Sequence, residues 1–390
     1  MRRQRKFYNS LEPTQYHTEI RVVPVRSEGE LWEFLRLPWR IYQHDPYWVP
    51  PIISYQRDFL DPGKGPFFEV GEAQYFLAFH RGRPAGRISA HINRLYDERY
   101  DRITGFFGFF ECLPEPKVAA ALFDAAADWL RQLGRTRLLG PLSFSIYDEV
   151  GLLVEGFDSI PAMFQSHNPP YYPQLLGNLG FRKTFDFYAL RLTQRFPLEP
   201  LEAKIADILQ GQNLRLTNYD PRDLERRREE VYDLFNEAWS SNWCHIPLTR
   251  KQFDIFYEEL KLLLRPNLVR ILLDGDDLVA FSIVLPDLNP LVKTFNGELS
   301  VWKKLRLLYA AKYKPVKKVR ALVLGVRQRY QGRKLHHALI LKSYVDAVRE
   351  TPCEFCDLSL IPENLRHYMK AFKVFGAERY KIFRIVEKDI

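Results

Sequence analysis

The sequence predicts an α/β protein made of two related lobes, each a mixed sheet of strands with helices packed on it. Three observations carry that expectation. The chain has 390 residues, more than one hydrophobic core usually serves. Short alternating or apolar runs take turns with helix-period segments along both halves. The two halves also end alike, in NPPYYPQLLGNLGFRKTFDFYALRL and ENLRHYMKAFKVFGAERYKIFRIVEKD, with Asn168, Tyr172 and Gly180 spaced as Asn364, Tyr368 and Gly376. Repeated spacing of this kind reads as internal duplication. Gly180 and Gly376 each fall just past a helix, where a left-handed backbone favours glycine. Each is followed by an alternating strand, Thr184–Leu192 or Arg379–Val386. The seam is expected in the Pro-containing segment Gln194–Pro200, where strand pattern stops and a new helix begins, giving lobes 1–195 and 196–390.

Taken in order, the first lobe reads as strands Glu19–Val25, Gln74–His80, Ala85–Asn93, Gly105–Cys112 and Arg137–Leu142, with helices Glu30–Tyr42, Val118–Leu133 and Tyr171–Asn178. The second reads as strands Leu214–Asn218, Leu268–Leu273, Leu278–Leu285, Val319–Val326 and Glu354–Leu360 before the last one. Its helices are Arg222–Trp239, Arg250–Leu263, Val301–Ala311, Leu335–Arg349 and Glu363–Val374.

A hydrophobic content of 46% with 14% aromatic residues describes a globular chain. No apolar run reaches the roughly 18 residues of a membrane span. The basic head MRRQRKFYNSLEPTQ lacks the apolar core of a signal peptide and reads as a solvated tail. With four scattered cysteines, a cytoplasmic protein is expected. The net charge of +9 is unevenly placed: no Asp or Glu occurs from Leu299 to Val345, where Lys303, Lys304, Arg306, Lys312, Lys314, Lys317, Lys318 and Arg320 fall among Val301, Trp302, Leu305, Leu307, Leu308 and Tyr309. Such a segment reads as an ordinary solvated face, as a helix on an anionic membrane at the inner face, or as a phosphate-attracting surface. A nucleic-acid partner is not expected.

The run Ala321–Glu350 carries the sharpest chemistry. An apolar strand leads into the basic turn Arg327–Lys334 and then into a helix with Leu335, Leu339, Leu341, Val345 and Val348 on one face. Backbone N–H groups and cations at a helix start suit a pyrophosphate. The segment Gln331-Gly332-Arg333-Lys334-Leu335-His336 resembles the acyl-CoA motif of GNAT acyltransferases, Arg/Gln-x-x-Gly-x-Gly/Ala. Gln331 fits, while Lys334 and His336 stand at the two small positions and would crowd a pyrophosphate. The first lobe offers Glu111-Cys112-Leu113-Pro114-Glu115-Pro116 at the matching turn; two carboxylates and two prolines there repel phosphate. The second lobe is therefore expected to hold the donor, at Leu324, Val326, Arg327, Arg329, Gln331, Gly332, Arg333 and Lys334, and the first to shape the acceptor side.

Further segments, among them LPWRIYQHDPYWVPP, GRISA, FFGFFE, DEVGLLVEGFDSIPAMFQSHNPPYY, NEAWSSNWCHIPLT and LPDLNP, resemble the two-lobed GNAT-like bacterial N-acyltransferases, over roughly residues 19–388. One branch of that family is the bacterial ceramide synthases. The resemblance implies a GNAT-type enzyme moving a fatty acyl group from an acyl thioester, acyl-CoA or acyl carrier protein, to an amine, sphingoid-type or another lipid amine, with no permanently bound cofactor. It implies a splayed strand near Leu324–Val326 that offers N–H to the carbonyl, Tyr368 as acid to the leaving sulfur, and Asn364 as a donor contact. Tyr368 also reads as a packing residue, and Asn364 as a helix-start residue.

An attacking amine must be neutral. Asp287, after a strand and between Pro286 and Asn289, is the candidate base or anchor; it equally suits a turn. Asn236, Trp239, Asn242, Trp243 and His245 cluster before a proline and are expected to line an acyl or amine channel with Asn289, or else to pack a helix end. Asp148 and Glu149 read as loop carboxylates or an anchor for a cationic acceptor. No metal is expected: Cys353-x-x-Cys356 lacks a second pair and His336-His337 lacks a spaced carboxylate. Two rivals remain open: a Fem-like aminoacyl-tRNA-dependent transferase, whose long helical hairpin has no counterpart here, and a non-catalytic GNAT-like protein that binds acyl chains or lipid.

Overall fold

A computed structural model describes residues 19–315 and 317–390, without the side chains of residues 367, 368, 371 and 374. The basic head and the Tyr368 side chain lie outside the described residues. No described helix is long and apolar enough to cross a membrane.

In chain order the elements begin with β1 (Ile20–Pro24), α1 (Glu28–Ile41), α2 (Ile53–Leu60), β2 (Gly71–His80), β3 (Arg83–Asn93), α3 (Arg94–Arg99), β4 (Thr104–Cys112), α4 (Pro116–Gln132), β5 (Arg137–Gly140), β6 (Leu152–Glu155), α5 (Tyr172–Asn178) and β7 (Arg182–Leu192). They continue with α6 (Leu198–Leu209), β8 (Leu214–Asn218), α7 (Pro221–Arg226), α8 (Arg228–Ala238), α9 (Arg250–Lys261), β9 (Val269–Asp274), β10 (Asp277–Pro286), α10 (Asn289–Lys293) and α11 (Val301–Tyr313). Last come β11 (Lys318–Val326), α12 (Leu335–Glu350), β12 (Phe355–Pro362), α13 (Arg366–Val374) and β13 (Glu378–Asp389).

The residues group into two compact units. Unit 1 takes the chain up to Asp186 with Phe295–Glu298 and Ile382–Ile390, and unit 2 takes Phe187–Thr294 and Leu299–Lys381. The expected seam at 195/196 thus lies inside unit 2, past the Asp186–Phe187 boundary. Unit 1 orders its strands β1-β2-β3-β4-β5-β13, and unit 2 β8-β9-β10-β11-β12-β7. The plans are the same: four antiparallel strands, one parallel neighbour (β4–β5 or β11–β12), then an antiparallel last strand. One expectation needs correcting here. Each sheet ends on the strand that follows the other repeat, so the strands after Gly180 and Gly376 are exchanged. Spacing along the chain cannot distinguish the two pairings.

Local signals explain most elements. Ser27 and Glu30 form a capping box that starts α1, and Thr249 with Gln252 does the same for α9. Pro116 sits in the first turn of α4, where its missing N–H does no harm. Val118, Leu122, Ala126 and Leu130 of that helix pack on Ile88, Ala90 and Phe107 as the core of unit 1. Gly180 and Gly376 have φ of +84° and +69°, as their place after a helix requires. The expected single helix over 222–239 is two, broken at Arg227. That side chain is buried and bound to Asp223, Glu230 and the Asp276 carbonyl, so the chain bends to keep its charge paired. The last helix starts at Arg366, later than expected, leaving Asn364 in an exposed turn. Three short helices, α2, α3 and α10, and strand β6 were not expected.

Candidate active site

Strands β11 and β12 pair only from Lys318↔Phe355 to Ala321↔Leu358. Beyond that, β11 stays with β10 as far as Val326↔Ala280, while β12 pairs with β7 at Ile361↔Tyr188 and Pro362↔Phe187. The two strands part, and Leu324 and Val326 lie on the parted stretch. Their side chains pack with Tyr330, Leu335 and Leu339 under α12. Gly325 faces the other way, where an added Cβ would come within 3.0 Å of the Trp239 ring. A side chain at 325 would displace that indole. Trp239, at the end of α8, is thereby brought beside the expected carbonyl-binding stretch.

A buried polar group occupies the opposite end of the same strand. Asp287 is 7% exposed, and its N–H donates to the Lys318 carbonyl at 2.9 Å. Its Oδ1 accepts from the Asn289 N–H at 3.1 Å, while its Oδ2 is buried with no hydrogen-bond partner. Burial raises its pKa from 3.8 to about 6, only partly opposed by that hydrogen bond and by Lys318. Nearby, Arg320 of β11 and Asp357 of β12 stand opposite in register, both buried, 3.8 Å apart at their closest charged atoms. Tyr380 and Ser359 also donate to Asp357. This network lies where β11 and β12 begin to part. Arg320 was counted in the sequence among the cations of the basic stretch, but it is buried here; Asp357, Ser359 and Tyr380 were not singled out, and their only signal was a charge or hydroxyl amid strand-patterned apolar residues.

The basic turn is less uniformly available than its composition suggests. Arg327 donates to the Leu278 carbonyl and to Glu237, and Glu237 also accepts the Gln328 N–H at 2.6 Å. Arg329 pairs with Asp277 at 3.1 Å. These carboxylates and Glu230 line an open cavity of about 530 Å³ on this side of the turn. Gln331, Gly332, Arg333 and Lys334 are exposed. The Arg333 guanidinium lies over the Tyr330 ring at 4.8 Å. Lys334 takes a left-handed backbone, φ 60°, directly before α12, whose start has no side-chain cap and no acid in its first turn. Arg333 and Lys334 are thus the turn cations with no acidic partner among the described residues.

The channel candidates separate on inspection. Both amide atoms of Asn236 bracket the Leu248 backbone, at 3.3 and 2.9 Å, which makes it a clamp on the loop after α8. Trp239 packs on Phe235 in a tilted pair with ring centroids 4.5 Å apart. Trp243 meets Phe187 edge-on, and His245 is buried with its N–H donated to the Asn242 carbonyl. Asn289 meets Asp287 through its backbone. Next to Trp239, a small cavity of about 40 Å³ is lined mostly by apolar residues, including Val231, Phe235, Phe253, Phe281, Ile283 and Val323.

Unit 1 holds the matching positions in closed form. Counted from the hairpins, Gly86↔Cys112 corresponds to Ala280↔Val326, so Glu111 takes the place of Gly325 and Asn93 that of Asp287. Glu111 accepts from Tyr42 at 2.9 and 3.1 Å and from Tyr172 at 2.7 Å, with buried Arg87 at 3.9 Å. Burial lifts its pKa to about 7 against the pull of Arg87. After Phe106↔Leu139, where β4 and β5 cease to pair, the Leu142 carbonyl would sit 2.1 Å from a Cβ on Gly108. The chain itself fills the parting. Asn168 is spent on the Leu153 backbone. Asp148, whose carboxylate accepts from Ser145, is likewise pushed up to about 7 by burial.

Solved structures share this architecture. The tandem GNAT protein from the clavulanic acid biosynthesis pathway matches with a TM-score of 0.54 at 13% identity, over 95% of this chain and 98% of that one. A GCN5-related N-acetyltransferase from Sphaerobacter thermophilus matches with 0.53 at 14% identity, over 96% and 97%. No protein-family model matches the chain. In sequence it is 30% identical over 378 residues to the bacterial ceramide synthase of Caulobacter vibrioides (strain NA1000 / CB15N), covering 96% of this chain and 98% of that protein. It is 31% identical over 373 residues to Protein YghO of Escherichia coli (strain K12), covering 93% and 94%. The fold is that of a tandem GNAT protein, and the chain is an N-acyltransferase that joins an acyl thioester to an amine. It belongs to the two-lobed, GNAT-like family of the bacterial ceramide synthase.

Proposed function

We propose that the protein transfers a fatty acyl group from acyl-CoA or acyl carrier protein to a lipid amine of the sphingoid type, with the chemistry in unit 2. The observation that carries this reading is Asp287: a buried carboxylate with one unpartnered oxygen, at the Lys318 end of the stretch over which β11 and β12 pair. The likeness to a ceramide synthase supports the choice of acceptor. The Asp287 carboxylate takes a proton from the incoming ammonium. The neutral amine attacks the thioester carbonyl, whose oxygen is held by N–H groups of the Leu324–Val326 stretch. As the C–N bond forms and the C–S bond breaks, Tyr368 delivers its proton to the thiolate and takes the second proton from the nitrogen in its place. Asn364 contacts the donor. The pyrophosphate lies on the start of α12, with Arg333 and Lys334 as cations and the other turn residues, Arg327, Arg329, Gln331 and Gly332, holding the turn's shape. Trp239, Asn242, Trp243 and His245 border the acyl path, with Asn236 and Asn289 as its supports. Unit 1 shapes the acceptor side.

The test is reconstitution: purified protein, a long-chain acyl-CoA or acyl carrier protein thioester, and sphinganine, with product read by lipid mass spectrometry. An N-acylated sphingoid base is the expected product; its absence with both donors, while another amine is acylated, overturns the acceptor. In the same assay Arg333→Glu is expected to raise KM for acyl-CoA roughly 10- to 100-fold, the size of a lost charge-assisted contact. Glu115→Gln in unit 1 should leave KM unchanged, and equal effects would refute the division of roles. Tyr368→Phe is expected to lower kcat about 10²-fold, the low end for a general acid, because a thiolate leaves readily. Turnover within about twofold of the parent would rule out that role.

A further inference from the structure

The most exposed apolar side chains of the described residues gather on one helix, α11. Trp302 is 80% exposed, Tyr313 72%, Tyr309 56% and Leu305 52%. At 100° per residue, these four and Val301 fall within one third of the helix circumference, opposite the buried Ala310 and Ala311. Arg306 and Lys304 flank the stripe on its two sides, and Lys312 lies within it. α11 contains no acid. Among the described residues, Lys304, Arg306, Lys312 and Lys314 have no acidic partner within ion-pair reach. The helix is also fixed in place. Ser300 caps its start, and Arg265 donates to the carbonyls of Ala310, Ala311 and Lys314 at its end.

A rigid helix showing Trp, Tyr and Leu to solvent, bordered by unpaired cations, has the makeup of an interfacial membrane helix. We propose that α11 docks the enzyme on an anionic bilayer, with its aromatic stripe in the headgroup layer and Lys304, Arg306, Lys312 and Lys314 on lipid phosphates. The charge selects this occupant: a second copy would set two cationic faces against each other. The location gives the docking a use, which rests on the acyl-transfer reading above. β11 begins at Lys318, five residues after α11 ends, and the Lys318 carbonyl accepts the Asp287 N–H. A lipid amine leaving the membrane would meet the Asp287 end of β11. The basic turn lies at the far end of the strand, about 30 Å away for nine extended residues, and stays open to the soluble thioester.

The test is flotation of the full chain with vesicles of phosphatidylcholine alone or mixed with phosphatidylglycerol. Binding is expected to the mixed vesicles only, and to weaken with salt. The combined change Trp302→Ala, Leu305→Ala, Tyr309→Ala should weaken it about 100-fold. Lys304→Gln with Arg306→Gln should weaken it roughly 30-fold, at about 1 kcal/mol per charge. These exposed substitutions should leave the melting temperature unchanged. No vesicle binding, equal binding to both vesicle types, or binding unaffected by the substitutions would each overturn the proposal. Self-association, or capture of acyl carrier protein, that is lost on the same substitutions without vesicle binding would overturn it too. If the enzyme reading alone is wrong, flotation still succeeds while acylation fails in detergent. If docking alone is wrong, acylation of detergent-dispersed amine persists without flotation.

Discussion

Asp287→Asn is expected to lower kcat by about 10²–10⁴, the range for loss of a positioned general base, while leaving the fold intact. Asparagine is already tolerated at the matching place in unit 1, where Asn93 caps α3 by accepting from the N–H groups of Leu95 and Tyr96. The pH dependence follows from the raised pKa. Below about 6 the carboxyl of the parent is protonated and cannot accept the amine's proton, so kcat/KM should fall as pH drops through that value. The variant should lack this acidic limb. Stability runs the other way. A carboxyl whose folded pKa exceeds its unfolded value of 3.8 favours the folded state at low pH, and that contribution is lost as pH rises through 3.8 to about 6. A shift of about two units corresponds to roughly 3 kcal/mol. Thermal melting at pH 8 should therefore show the variant as stable as the parent or more so. A variant that keeps its turnover, or loses turnover and melting temperature together, would refute the role of base.

The second large effect is on stability in unit 1. Arg87→Leu removes the cation beside buried Glu111 and the donor to the Phe34 carbonyl, a bond of 2.7 Å. Stranding a buried charge costs about 3–5 kcal/mol, which lowers the melting temperature by roughly 10 °C in a unit of this size. Glu111 already titrates near 7. Its folded pKa lies above the unfolded 4.5, so its contribution to stability is greatest at low pH and declines as pH rises through 4.5 to about 7. Without Arg87 the carboxyl is driven higher still, and protonation relieves the penalty under acid conditions. The deficit should thus be smaller at pH 6 than at pH 8. A pH-independent deficit would mean that only packing was lost, since Arg87 also lies over the Phe34 ring at 4.8 Å.

Much of the architecture was legible in the sequence, for local reasons. Alternating runs marked the strands, capping residues and apolar periodicity marked the longer helices, and Gly180 and Gly376 marked helix ends because few other residues accept a left-handed backbone. The duplicated spacing gave two lobes. The turn Arg327–Lys334 and Asp287 were visible as chemistry-bearing types next to strand ends. The shortest helices escaped, since five to eight residues carry too little periodicity to register.

What the sequence by itself determined, then, is which segments form strands and helices, and that unit 2 carries the cationic turn while unit 1 carries the acidic one. Only the tertiary structure decided which last strand closes which sheet, because β7 and β13 carry similar alternating patterns and pairing is a contact between distant segments. It also decided what each charge does. Arg327 and Arg329 face carboxylates that come from α8 and β10, and so brace the turn. Arg333 and Lys334 meet none among the described residues. Asp287 and Glu111 are ordinary acids in the sequence, and burial is the main cause that moves them to about 6 and about 7, since a charge in a medium of low dielectric is penalised wherever the chain encloses it.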